Sequence, residues 1–227
     1  MNAATLRAAV PAMLWAALLP AQAGASTSQE WRFEVLLDDE PIGFHTFRLS
    51  GDGDTHELRG EARFSVKLLG FTIYDYAHRN HELWRHDCLQ RIDASTDDNG
   101  EDFHLRGAIQ GEQLVLENRT GNSILTGCVM TFAYWNPAIL SQQRLLNAQT
   151  GEYLDVDIRQ IGKKSLQLQG RAVPALHYRI HTGESDIGLW YSTTNRDWLA
   201  LSTSTSGGEL RYRRLTATAG NGSGYGD

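Results

Sequence analysis

The sequence predicts an all-β protein built on a single large, antiparallel, strongly curved sheet or barrel of about 11–13 strands, with one short helix near 136–146. Three observations carry this expectation. Apolar and polar residues alternate with a period of two along most of the chain, and clusters of Asp, Asn, Gly and Pro recur about every ten to fifteen residues. Only one stretch has both a helical start and a helical stop.

Residues 1–25 read as a secretory signal peptide, with Arg7 near the start and an apolar run through Val10, Met13, Leu14, Trp15, Leu18 and Leu19. Small residues at its end allow cleavage after Ala23 or Ala25. The apolar run falls well short of the ~20 residues needed to span a bilayer, and Pro11 and Pro20 interrupt it. The mature chain is therefore expected in the periplasm, without a transmembrane anchor.

Residues 26–215 form the expected single β-rich domain. Trp31, Phe33, Val35 and Leu37 open the alternation. Across 56 to 67, His56, Leu58, Ala62, Phe64 and Val66 take one parity, while Glu57, Arg59, Glu61, Arg63, Ser65 and Lys67 take the other. Such strands bury one face and leave the other in water. The same period recurs in Phe103, Leu105 and Ile109, in Leu154, Val156 and Ile158, and in Ala172, Leu176, Tyr178 and Ile180. Between these runs lie turn formers: Asp38-Asp39-Glu40-Pro41, Ser50 to Asp54, Asp97 to Gly100 and Ser206-Gly207-Gly208, of which Asn99-Gly100 is the strongest hairpin signal. The helix is expected to start at Asn136 as cap with Pro137 in the first position, to carry Ile139, Leu140 and Leu146 on one stripe, and to stop by Gly151. Thr216 to Asp227 is rich in Gly, Ser, Asn and Thr and reads as a flexible tail.

The 227 residues carry 21 Lys+Arg against 27 Asp+Glu. Loss of the leader removes only Arg7, leaving 20 against 27 and a net charge of −7. That balance argues against nucleic acid or an anionic membrane surface as the main partner. The only two cysteines, Cys88 and Cys128, both survive cleavage, and an even count in an exported chain suggests a disulfide. Two free thiols packed as small apolar groups are the alternative.

The densest polar cluster runs from Tyr74 to Trp84. On one strand Tyr74, Tyr76, His78, Asn80, Glu82 and Trp84 share a face, while Asp75, Arg79 and His81 look the other way, so His78 and His81 are poorly placed to chelate one metal. The shared face could orient a polar head group. It could also run acid/base chemistry, with His78 as base, Glu82 orienting it and Tyr76 as acid or oxyanion donor. An inert, hydrogen-bonded polar layer inside a large barrel is the competing explanation. Tyr134, Trp135 and Asn136 end an aromatic and amide-rich run that could line a cavity mouth, or simply make a strand-to-helix corner. His86 and Cys88 lack a matching metal-ligand pair, and Asp97-Asp98-Asn99-Gly100 lacks the acidic twelfth residue of a calcium loop. Neither a metal nor a cofactor is expected.

Cys88 to Gly100, Cys128 to Tyr153, Gly188-Leu189-Trp190-Tyr191 and Leu210-Arg211-Tyr212 together resemble a family of exported bacterial proteins catalogued only as a domain of unknown function. The resemblance covers Trp31 to about Leu215 and is most specific from Phe132 to Tyr153. It implies an exported, β-rich, single-domain protein and transfers no catalytic residue. In architecture alone the chain is similar to curved-sheet periplasmic lipid and lipoprotein carriers. The leading expectation is a non-enzymatic binder or carrier of a hydrophobic or lipid-like molecule in a β-cavity. An envelope enzyme using His78, Glu82 and Tyr76, or an envelope protein-interaction module, are the alternatives.

Overall fold

The computed structural model describes residues 27–215; the predicted leader and the predicted tail lie outside them. Fifteen strands follow in chain order: β1 (Thr27–Leu37), β2 (Glu40–Asp52), β3 (Thr55–Leu68), β4 (Phe71–Arg85), β5 (Cys88–Asp98), β6 (Glu101–Gln110), β7 (Gln113–Asn118), β8 (Gly121–Thr126), β9 (Arg144–Leu146), β10 (Tyr153–Asp155), β11 (Asp157–Leu168), β12 (Arg171–His181), β13 (Asp186–Ser192), β14 (Trp198–Thr205) and β15 (Gly208–Arg214). Thirteen of them make one sheet in the order β11-β12-β13-β14-β15-β1-β2-β3-β4-β5-β6-β7-β8, and β9 with β10 makes a separate pair. Every neighbouring pair runs antiparallel, and each is joined by a short turn except at the seam, where the first strand pairs with the last. The sheet is thus a single meander of the predicted class.

Turn chemistry explains the joints. Asp38 (φ 47°) and Asp39 (φ 74°) make the β1–β2 turn, and Asn99 (φ 53°) with Gly100 (φ 89°) makes the β5–β6 turn. Two successive positive φ values match the right-handed twist of the flanking strands, and Asn, Asp and Gly adopt them at least cost. Burial follows the predicted parity on β3, where Leu58, Ala62 and Phe64 are buried while Arg59, Glu61 and Arg63 are exposed. The wet face carries pairs such as Arg48 with Glu30 at 2.8 Å, which contribute little stability in full contact with water.

The sheet wraps around part of its own chain. β4 and β13 lie six strand steps apart, so a flat sheet would separate them by roughly 29 Å at ~4.8 Å per step. Yet Glu82 on β4 accepts a hydrogen bond from Thr131 Oγ1, and Tyr191 on β13 donates one to the Tyr134 carbonyl at 2.7 Å. The sheet must curl for both to reach the same few residues. Residues 127–156, between β8 and β11, are that enclosed segment, here called the plug. Val129, Met130, Ala133, Ile139, Leu145 and Leu146 of the plug belong to one core with Trp31, Phe33, Trp84, Leu105, Leu189 and Trp198 of the sheet. The Cys88–Cys128 disulfide joins the start of β5 to the start of the plug across a sequence separation of 40. This decides between bonded and free cysteines.

The helix expected near 136–146 is one 3-10 turn, Pro137–Ser141, followed by an extended segment that includes β9. Asn136 does cap it, its side chain accepting from Ala138 N at 2.9 Å, and Pro137 takes the first position. The helix stops early because Leu145 and Leu146 are both fully buried. β9 pairs with β10, and Leu146 also exchanges backbone bonds with Met130 and Phe132, so strand pairing replaces the second and third helical turns. At the other extreme, β3 and β4 pair as far as Leu68 and Phe71, whereas β2 stops opposite Phe64 and β5 opposite Tyr76. Residues 65–75 therefore project as a two-stranded finger with Leu69, Phe71 and Ile73 exposed. Among the described residues no helix is long and apolar enough to cross a membrane.

Candidate functional site

A cavity of about 360 Å³ lies where the concave faces of β2–β4 meet the plug. Its sheet wall includes His45 and Phe47 from β2, Leu58 from β3, and Tyr76, His78, Asn80 and Glu82 from β4. Thr131 to Trp135 form the plug side, and the β12–β13 loop at 182–185 completes the rim with Glu152. The strand period explains the β4 contribution, since alternate residues project to one face and that face is the inner one. His78, Asn80, Glu82 and Trp84 are buried, whereas Arg79 and Leu83 between them are exposed.

Most polar groups of this layer have a partner within the protein, and a few do not. His78 Nδ1 lies 2.7 Å from Thr96 Oγ1 on β5, and burial lowers the imidazole to about 4, so it is neutral near pH 7. Glu82 is fully enclosed and accepts from Asn80 Nδ2 at 2.9 Å, from Trp84 Nε1 at 3.0 Å and from Thr131 Oγ1 at 3.4 Å. Burial outweighs these three donors and raises the carboxyl to about 7. Asn80 fits because residue 60 opposite it is glycine: a Cβ there would stand 1.9 Å from Asn80 Oδ1. That oxygen has no hydrogen-bond partner within the protein. Neither has Nε2 of His45, whose Nδ1 lies 3.2 Å from Tyr212 OH, nor Nε1 of Trp135.

Tyr76 OH donates to Gln149 Oε1 at 3.0 Å, and Gln149 Nε2 donates to Asp98 Oδ2 at 3.2 Å. Tyr74 OH donates to the other Asp98 oxygen at 2.7 Å. This chain of bonds clamps the plug to β4 and β5. Burial raises both phenols above their usual range, with Asp98 adding to the effect.

The nine residues expected to bind a ligand therefore separate. Tyr76, His78, Asn80, Glu82, Tyr134 and Trp135 line the cavity. Tyr74 is engaged in the clamp, and Trp84 lies beneath Trp135 in an edge-on contact at 5.6 Å. Asn136 bonds to Asp87 through Nδ2 and caps the 3-10 turn through Oδ1, so its amide serves the corner. The two members of the expected dyad are not bonded to one another. His78 and Glu82 are four residues apart on one strand, about 13 Å of rise, and Asn80 stands between them. Thr96, rather than Glu82, is hydrogen-bonded to the imidazole. Cys88, two residues from His86, is committed to the disulfide and is not free to ligate a metal.

Sequence reasoning missed His45, Phe47 and Glu184, which line the cavity, whereas Thr131, Gln149 and Glu152 lie in the aromatic and amide-rich stretches 128–137 and 145–153 that suggested a cavity mouth. His45 and Phe47 share a parity on β2 and stack at 3.9 Å, so the alternation there held a usable signal. The plug and loop residues carry no periodic mark.

An open antiparallel sheet curled around a plug, with a small cavity between the two, defines an all-β, β-barrel-like protein. The chain belongs to the family described as domain of unknown function DUF6134, whose profile matches residues 33–215. It is similar in fold to the crystal structure of a β-barrel-like protein of domain of unknown function DUF1849 from Brucella abortus, with a TM-score of 0.60 and 9% identity over 86% of this chain and 98% of that one. No curated protein matches the chain.

Proposed function

We propose that this protein is an exported, non-enzymatic binder or carrier of a small amphipathic molecule, held in the cavity between β2–β4 and the plug. The carrying observation is that Asn80 Oδ1, His45 Nε2 and Trp135 Nε1 are buried without a protein partner and belong to residues lining one cavity. An unpaired buried polar group costs roughly 1–3 kcal/mol, and a ligand that supplies the missing bonds recovers that cost. Phe47, Leu58, Phe132 and Ile187 offer the apolar surface for the rest of the molecule. The volume sits at the lower end of the roughly 300–1,000 Å³ typical of small-molecule sites, which suits a small ligand or the polar end of a longer one. A disulfide is compatible with an oxidising compartment such as the periplasm.

Native mass spectrometry of the protein purified without denaturation from the cell envelope tests this reading. A bound small molecule, released on unfolding, is the expected result. A bare protein mass, with no change in tryptophan emission on adding an envelope lipid extract, rejects it.

A further inference from the structure

We propose that the molecule received by this cavity carries a cationic amine at its polar end, an inference that rests on the binder reading above. Three carboxyl groups line the cavity: Glu82 at its buried floor, raised to about 7 and so partly ionised near neutrality, and Glu152 and Glu184 at the rim, where both are exposed. No lysine or arginine is among the described residues that line it. An anionic head group would meet three acidic side chains and no counter-charge, whereas an ammonium would find attraction along the whole path inwards.

Carboxylates alone would make only a solvated acidic rim, but the floor adds an independent feature. Asn80 is 9% exposed, and its Oδ1 is a lone-pair acceptor with no donor in the protein. Its Nδ2 donates one of its two N–H bonds to Glu82, and Oδ1 is the unpaired acceptor that Asn80 brings to the cavity wall. An ammonium, with donors and no acceptor, complements both that oxygen and the adjacent carboxylate. The rings of Tyr76, Tyr134 and Trp135 line the same space, and aromatic faces attract cations, most strongly where water is excluded. Trp135 Nε1, an unpartnered donor, suits a hydroxyl or carbonyl oxygen beside the amine. The two histidines add no opposing charge: burial, first of all, lowers both His45 and His78, so each is neutral near pH 7.

The test measures binding of octylamine, octan-1-ol and octanoate to the mature protein, by calorimetry and tryptophan emission at low and high salt. Octylamine should bind about tenfold more tightly than octan-1-ol, with octanoate weakest, and high salt should narrow the gap. The Glu152→Gln/Glu184→Gln variant changes only exposed side chains, so it should fold normally and cut the amine-to-alcohol ratio several-fold. Glu82→Gln should reduce it further. Equal or tighter binding of octan-1-ol or octanoate overturns the amine inference and leaves the binder reading standing. Failure of all three probes to bind also overturns it, while the binder reading falls only if native mass spectrometry shows a bare protein and an envelope lipid extract leaves the tryptophan emission unchanged.

Discussion

Along β3 burial alternates, with Leu58, Ala62 and Phe64 enclosed and Arg59, Glu61 and Arg63 in water. In the plug Val129, Met130 and Thr131 are buried in succession, as are Leu145 and Leu146. The contrast follows from what surrounds each segment. A strand of the sheet has protein on one side and solvent on the other, so it needs one apolar face. The plug has sheet on more than one side and buries consecutive residues, so its polar groups must find partners internally. The cavity lies where these two kinds of packing meet, and its polar atoms belong to both.

Cutting the plug loose should have the largest effect. The Cys88→Ser/Cys128→Ser variant releases a cross-link spanning 40 residues and should lose about 4 kcal/mol, read as a lower urea midpoint. If the plug is held mainly by packing, the midpoint will scarcely move.

The floor tests the contrast through pH, because its two titrating groups act in opposite senses. The unfolded chain ionises Glu82 as pH passes 4.5 while the folded chain holds the proton to about 7. Its contribution, complete below about 4.5, is lost as pH rises through that window, on the order of 3 kcal/mol. His78 is held near 4 against an ordinary 6.5, so its contribution is complete above 6.5 and is lost as pH falls towards 4, again on the order of 3 kcal/mol. The wild type should therefore show partial cancellation between pH 4 and 7. Compared with it, Glu82→Gln should lose stability more steeply towards acid, and His78→Gln towards neutrality. Parallel stability curves for all three proteins would show that the pair does not titrate in this way.

On the wall, Gly60→Ala drives a Cβ into Asn80 and should cost about 1–3 kcal/mol by thermal melting. The Asn80→Ala background should recover part of that loss, whereas purely additive costs would deny the contact. The smallest effect is expected at the clamp. Gln149→Ala removes the bonds to Tyr76 and Asp98 and should cost about 1 kcal/mol, with the cavity-side emission of Trp135 more altered than the midpoint.

The same contrast explains what the sequence made legible. Alternation on β1, β3 and β4 and the turn residues Asp38-Asp39 and Asn99-Gly100 all correspond to the folded chain, because each records a local choice between water and core. The inner face of β4 was readable for that reason down to the order Tyr76, His78, Asn80, Glu82. The partners of those residues were not. Thr96 lies 18 positions from His78, and Gln149 lies 73 from Tyr76, so only the curl of the sheet joins them. Asn136-Pro137 correctly marked a helical start, but nothing nearby announced that Leu145 and Leu146 would be enclosed and drawn into strand pairing. Sites assembled by a plug are hidden from periodicity because the plug has none.

The pairing of β1 with β15 brings together Glu34 and Arg213, 179 residues apart. Through this seam the half carrying His45, His78 and Glu82 meets the half carrying Glu184, and Phe33 reaches Trp198 at 4.3 Å. The wall of the cavity is therefore complete only when β15 is in place beside β1. A chain that ends before β15 should melt at a lower temperature, because the two halves of the wall lose the strand that joins them.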